Sequence, residues 1–410
     1  MTPVPPIGEG ELVRRAAGVI PGGMYGHNVR KFLWDDAPQF WTRGSGYLIW
    51  DADDREYVDL MCSWGPIIHG HQHPFIEAAA ERQRLLFDTG NGPSELFVLL
   101  AERLIGLIDH AQWAVFAKNG GDVTTLALTV ARAATSRSTV LVARGAYHGS
   151  LPWCSSRTAG VTAGDRAHLA YFDYNDPDDL RAVAARHADD LAAIILTPHK
   201  HEAGTDSEEV APQFAASARS ICDATGAALI LDEVRTGFRL HLGSSWATLG
   251  VQPDLSCWSK GIANGYPLST LTGSEWLRDA AARVSIGGTF WMSAVPMAAA
   301  LATIDLLEQE DGVTRMAEAG TQITDVLRAT ALEHDVAVRI SGPPAMPSLS
   351  FSDDPGWSIA KRWAAEMARR GVYVNPSHNW FMSTALDAAA IARVSEAAGG
   401  AFRAVAGYRG

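Results

Sequence analysis

The sequence predicts an α/β protein: a large domain with a mainly parallel sheet covered by helices, plus a smaller α+β domain. Three observations predict it. Helical and strand-like segments alternate from about residue 75 to 295, the pattern of strands joined by helical crossovers. After residue 296 the pattern changes to a long helix, another near 321–334, a strand pair and two more helices. The length of 410 residues exceeds one simple core, so two domains are expected.

In chain order, residues 11–20 read as a short helix stopped by Pro21-Gly22-Gly23. Residues 47–50 and 56–60 flank Asp51-Ala52-Asp53-Asp54 and read as a hairpin. Helices are expected over 74–87, 94–108 and 122–134, and strands over 113–117, 139–143, 192–197, 227–231 and 268–273. A helix over 297–309 opens the last part. The expected division is 1–60 for an N-terminal arm and part of the small domain, 61–295 for the large cofactor-binding domain, and 296–410 for the C-terminal small domain.

Composition excludes several classes. The formal net charge of −12 argues against general nucleic-acid binding. No apolar run reaches the roughly 18–20 residues of a membrane span, so no membrane partner is expected. The first six residues lack the basic start and apolar core of a signal peptide. Cys62, Cys154, Cys222 and Cys257 are scattered without metal-type spacing, so no metal is expected and a reducing, cytoplasmic setting fits.

The chemistry centres on Lys260 and Asp232. Lys260 sits in a largely uncharged stretch, with Gly261, Ala263 and Gly265 close behind it. A lysine in dry surroundings is deprotonated more easily, and its free amine attacks carbonyls. Asp232 follows the apolar run Ala227-Ala228-Leu229-Ile230-Leu231, at the C-terminal end of a strand, where α/β sheets place catalytic groups. Together they suggest a site for pyridoxal 5′-phosphate (PLP), with Lys260 forming the Schiff base and Asp232 holding the protonated ring nitrogen.

Three further segments bear on this reading. Asn119-Gly120-Gly121 follows a strand and opens a helix, so backbone N–H groups and the helix N-terminus can hold a phosphate; the same residues with Asp122 also suit a plain capped turn. Thr289 beside Gly287 and Gly288 is a second phosphate candidate. Tyr147, with His148 next to it, follows another strand and can stack on a cofactor ring or pack on the core.

These segments, in this order, resemble the class III aminotransferases of PLP fold type I, and most nearly the glutamate-1-semialdehyde aminomutase branch. The resemblance is carried by Ile20-Pro21-Gly22-Gly23 with Arg30, by Ser63-Trp64-Gly65-Pro66, by Asp232-Glu233-Val234-Arg235-Thr236-Gly237-Phe238-Arg239, by the stretch 253–267 and by Gly288-Thr289. It implies a homodimer with active sites at the interface. It assigns the Schiff base and proton transfer to Lys260, the pyridinium to Asp232, the two ring faces to Val234 and Tyr147, and the phosphate loop to Asn119, Gly120 and Gly121. It gives Thr289 to the partner subunit's phosphate. Arg30 and Trp64 are substrate candidates.

Two departures stand out. The family commonly has Ser-Gly-Thr where this chain has Asn119-Gly120-Gly121, which removes two hydroxyl donors. Where the family has Glu-Pro and then small or apolar residues, this chain reads Thr197-Pro198-His199-Lys200-His201-Glu202. Lys200, His201 and Glu202 thus become substrate candidates, or else a solvated loop. The expected activity is transfer of an amino group between an amino compound, expected to be an amino acid, and a carbonyl acceptor. The alternatives are an intramolecular aminomutase, or an epimerase or decarboxylase on the same scaffold.

Overall fold

Seven strands form the main sheet of the computed structural model, in the order Trp113–Ala117, Ser269–Gly273, Leu255–Trp258, Ala228–Asp232, Leu191–Leu196, Thr139–Ala143, Leu169–Phe172. All run the same way except Ser269–Gly273, which is antiparallel to both its neighbours. The structure describes residues 7–202, 205–352 and 354–408; the six N-terminal residues read for a signal peptide lie outside them.

The sheet separates two cores, and strand periodicity decides which residue enters which. Val140, Val142, Ala193, Ile195, Ala228 and Ile230 pack on one face. Leu141, Ala143, Ile194, Leu196, Leu229 and Leu231 pack on the other. Successive side chains of a strand point to opposite faces, so runs that are apolar at every position are what a sheet covered on both sides requires. Each such Leu, Ile or Val contributes about 1.5–3 kcal/mol when fully buried.

The chain divides into two units: residues 74–202 with 208–313, which hold this sheet, and residues 1–73, 203–207 and 314–410. The helix Ala294–Gln309 falls in the first unit, where it packs on the helices Pro74–Leu86 and Leu96–Leu107. The second unit has the sheet Trp41–Ser45, Leu48–Asp51, Glu56–Asp59 and Val372–Tyr373, a hairpin of Val338–Ser341 with Ser348–Phe351, and the helices Ser358–Arg369 and Ala388–Val405. The turn between Leu48–Asp51 and Glu56–Asp59 is closed by buried Asp51, which accepts hydrogen bonds from the Asp53 and Arg55 backbones and from Tyr57 Oη.

The expected elements omit some that the structure contains. The helix Pro177–Arg186 starts on Asp176, whose carboxylate accepts from the Asp178 and Asp179 N–H groups, and Pro212–Thr225 ends on Gly226 at φ +70°. The strands Leu169–Phe172 and Leu255–Trp258 are only four residues long, and Ser256 interrupts the apolar character of the second. The helix expected over 321–334 runs instead from Gly312 to Glu333.

What the fold does for the site is simple. Six co-directional strands deliver their C-terminal ends to one edge of the sheet. The loops leaving that edge carry Lys118–Gly121, Gly145–His148, Thr197–Glu202, Asp232–Arg235 and Lys260.

Candidate active site

Asp232 and Lys260 leave adjacent parallel strands, in a register that pairs Asp232 with Cys257, three residues before the lysine. Lys260 has φ +47°, a left-handed conformation that costs a non-glycine residue about 1–3 kcal/mol and concentrates at functional sites. Gly261, Ile262 and Ala263 behind it are buried. Burial, then the charges of Arg235 and Arg239, lower the lysine pKa from 10.5 to about 7, against an upward pull from Asp232. A substantial share of its amine is therefore neutral near pH 7, as a nucleophile or proton carrier must be.

Asp232 is 5% exposed. Its Oδ1 accepts the Val234 N–H at 3.1 Å and its Oδ2 lies 2.7 Å from His148 Nδ1. An ionised carboxylate only accepts, so Nδ1 carries the proton. His148 is held in turn: its carbonyl accepts from Thr124 Oγ1 at 2.8 Å, and its ring stacks at 6.2 Å on Trp153, whose indole donates to Thr125 Oγ1. The sequence placed His148 among the cofactor contacts; the structure places it against the aspartate. Tyr147 beside it is 46% exposed, leaving its ring available for stacking. Burial raises its pKa, followed by the influence of Cys154.

The glycines of the phosphate loop are not equivalent. A side chain at Gly120 would meet Val234 Cγ1 at 2.7 Å, whereas one at Gly121 would find only Leu151 at 3.7 Å. Gly120 thus lets the start of the helix Gly120–Thr135 approach the Asp232 turn. Asn119 is committed to capping: its N–H and side-chain amide donate to Asp122 Oδ2 at 2.8 and 3.2 Å. The Lys118 ammonium is buried, with no hydrogen-bond partner among the described residues. Thr289 stands in an exposed stretch, residues 285–290.

The Thr197–Glu202 segment forms a two-stranded ribbon, His199–Lys200 against Glu208–Glu209. Lys200, a substrate candidate, pairs with Glu208 at 3.1 Å and Glu202 at 3.8 Å. Glu202 lies over Gly145, where any side chain would collide with its carboxylate, so the ribbon is fitted to the Tyr147 loop. His201 is 9% exposed. His199 is 1% exposed, with both ring nitrogens unpartnered among the described residues. Burial, reinforced by Arg235, lowers its pKa to about 3 and keeps it neutral.

Arg30 and Trp64 belong to the other unit. Arg30 donates from Nη1 to the Asp35 and Ala37 carbonyls at 2.6 and 2.9 Å. Trp64, at φ +67°, meets the His378 ring edge-on at 5.0 Å.

Two residues whose charges act on Lys260, Arg235 and Arg239, were not singled out as site members by the sequence reading. Arg235 is half-buried; burial lowers its pKa while Asp232 and Tyr147 act in the opposite direction. Both arginines were visible in the stretch following Asp232, but only the fold turns their charge toward Lys260. The set fits a phosphorylated pyridine aldehyde: an amine near neutrality, a buried carboxylate for a ring nitrogen, an exposed aromatic face, and a helix start where Gly120 leaves the backbone open.

Comparison with known proteins agrees with this chemistry. Residues 34–388 match the family model described as aminotransferase class-III. The chain is 46% identical over 395 residues to the aminopentol aminotransferase of Sphingopyxis macrogoltabida, covering 96% of this chain and 94% of that one. It is 31% identical over 422 residues to the glutamate-1-semialdehyde 2,1-aminomutase of Pelotomaculum thermopropionicum, with 96% of each chain covered. Among solved structures, the PLP internal aldimine form of the FumI protein of Sphingopyxis sp. MTA144 matches with a TM-score of 0.96 at 46% identity, over 97% of this chain and 96% of that one.

Proposed function

This chain belongs to the class-III aminotransferases and is a PLP-dependent enzyme, and we propose that it moves the amino group of a hydroxylated amine to a carbonyl acceptor, with Lys260 as its attacking amine. The observation that carries the reading is the pairing of Lys260, strained and with its pKa near 7, with buried Asp232 on the next strand.

PLP supplies a carbonyl carbon for amine exchange and a ring that withdraws electrons when protonated. Asp232 would hold the proton on the ring nitrogen, with His148 orienting its carboxylate at 2.7 Å. Lys260 would hold the cofactor through its amine and, with a pKa near 7, would serve as the proton carrier of the site. Val234 and Tyr147 would pack on the two faces of the ring.

The substrate class rests on two supports. A relative sharing 46% identity is named for an aminopentol, an amine carrying several hydroxyls. The second is His199, a buried neutral imidazole that offers one donor and one acceptor, which suits a hydroxyl. Lys200, by contrast, is ion-paired within the protein, which disfavours it as the receptor for an amino-acid carboxylate.

The assembly is read as a homodimer with Thr289 serving the partner. In support, Phe290 is 61% exposed and Ile286 and Met292 lie open beside it, an apolar strip around that threonine. A cytoplasmic location fits four cysteines that are all free. No helix of the described residues is long and apolar enough to cross a membrane.

The test is an amine-donor and carbonyl-acceptor screen that follows the cofactor's absorbance and the released carbonyl product. Turnover of a hydroxylated amine with product released to solution supports the reading. Isomerisation without release would favour the aminomutase reading, which the 31% identical relative keeps in view.

A further inference from the structure

His148 sits in a loop that its own sequence leaves loose. Gly145 at φ +73° and Gly149 at φ +126° flank it, and glycine has more backbone freedom to lose than any other residue. Its ring must nevertheless stay in one plane. A histidine ring that turns about its last torsion exchanges Nδ1 for a carbon, which would drop the 2.7 Å hydrogen bond to Asp232. The other ring nitrogen, Nε2, is buried with no hydrogen-bond partner among the described residues, so no second hydrogen bond fixes the plane.

The plane is held from the side. Trp153 stacks on the ring with centroids 6.2 Å apart and planes 14° from parallel. The indole is itself docked, since its Nε1 donates to Thr125 Oγ1 at 2.8 Å. Thr125 belongs to the helix Gly120–Thr135, whose preceding residue Thr124 donates to the His148 carbonyl at 2.8 Å. A side chain at Gly149 would meet the Gly121 Cα at 3.1 Å, so the loop lies directly on the same helix. Trp153 is partly buried against the core that this helix helps to form. The helix thus carries the whole loop, and the contact that governs the ring plane is the one through Trp153.

We infer that Trp153 is a positioning residue of this enzyme: anchored on Thr125, it sets the plane of the His148 ring and, through it, the direction of the Asp232 carboxylate. The inference rests on the reading of Asp232 as the partner of a ring nitrogen. It extends the site to Trp153 and Thr125, which act through His148, and leaves the bond-making steps to Lys260.

The experiment reads the His148 Nδ1 proton in cofactor-free protein by proton NMR. Charge-assisted N–H···O⁻ bonds are short and strong, and a proton held in one away from water resonates downfield of the backbone amides. The signal belongs to His148 if His148→Phe lacks it. Trp153→Ala is expected to broaden or lose it, whereas Trp153→Phe, which keeps a stacking ring, should retain it. Thr125→Val removes only the anchor and should broaden it; this variant decides if Trp153→Ala does not fold. In the PLP-loaded enzyme Trp153→Ala should lower kcat roughly tenfold and leave KM within about twofold, because the carboxylate is misdirected while substrate contacts stand. A tryptophan with a merely structural role would lower the unfolding temperature without moving the signal of the folded protein. An unchanged signal in folded Trp153→Ala, or in Thr125→Val where Trp153→Ala does not fold, would overturn the inference. So would a lost signal with kcat unchanged, or wild-type protein without the signal. Wild-type protein that shows the signal but binds no PLP would instead overturn the reading of the site as a whole.

Discussion

The Asp232 carboxylate accepts a 2.7 Å hydrogen bond from His148 Nδ1, between residues 84 positions apart in sequence and both almost fully buried. The pair fixes the proton on Nδ1 and points the carboxylate, while Thr124 and Trp153 hold the imidazole in place.

Asp232→Asn should retain much of the cofactor and lose turnover by roughly 10²- to 10⁴-fold, because removing one partner of a buried charge pair costs about 3–5 kcal/mol. His148→Phe keeps the ring on Trp153 but loses the hydrogen bond, and should cost about tenfold. Steady-state rates of the two variants, with cofactor content measured, check the ordering. Equal losses would mean that His148 does more than orient.

The Lys260 amine should titrate near neutrality. Its pKa lies at about 7, below the ordinary 10.5, so it is an ammonium below that value and neutral above it. Acylation of Lys260 in cofactor-free protein should therefore rise through pH 7 and level off. A rate still climbing toward pH 10 would contradict this. Arg235→Met removes a repelling charge and should move the midpoint upward.

Gly120→Ala should lower stability by about 1–3 kcal/mol, the usual cost of overpacking, because its Cβ meets Val234 at 2.7 Å. Gly121→Ala, with 3.7 Å to its nearest neighbour, should cost much less. Thermal unfolding of both variants makes the comparison; similar losses would show that the Val234 contact relaxes freely.

His199→Leu should raise KM for a hydroxylated amine about tenfold and leave KM for a simple alkylamine unchanged, the loss of one hydrogen bond to a substrate hydroxyl. Lys200→Ala removes a partly exposed ion pair worth up to about 1 kcal/mol and should stay within a few-fold of wild type. Reversed effects would return Lys200 to the substrate.

The sequence could disclose what is local. Asp232 was legible because it ends an unbroken apolar run, and Lys260 because of its dry, small-residue surroundings. The five strands expected from apolar runs lie where the sheet has them, within a residue or so. The strand Leu255–Trp258 was obscured by Ser256, whose side chain sits in the sheet interior. What depended on distant pairing was not legible. The His148–Asp232 contact joins two loops that only the strand order brings together. The pairing of Lys200 with Glu208 was not legible either, because only the ribbon sets them opposite each other. Arg235 was in plain view, but its effect on Lys260 requires knowing that both leave adjacent strands.

The central claim is that Lys260 carries the cofactor. Borohydride reduction of the purified yellow protein, followed by peptide mapping, tests it directly. The account predicts a single phosphopyridoxyl label on the peptide containing Lys260. A label on Lys118 or Lys200 would contradict it.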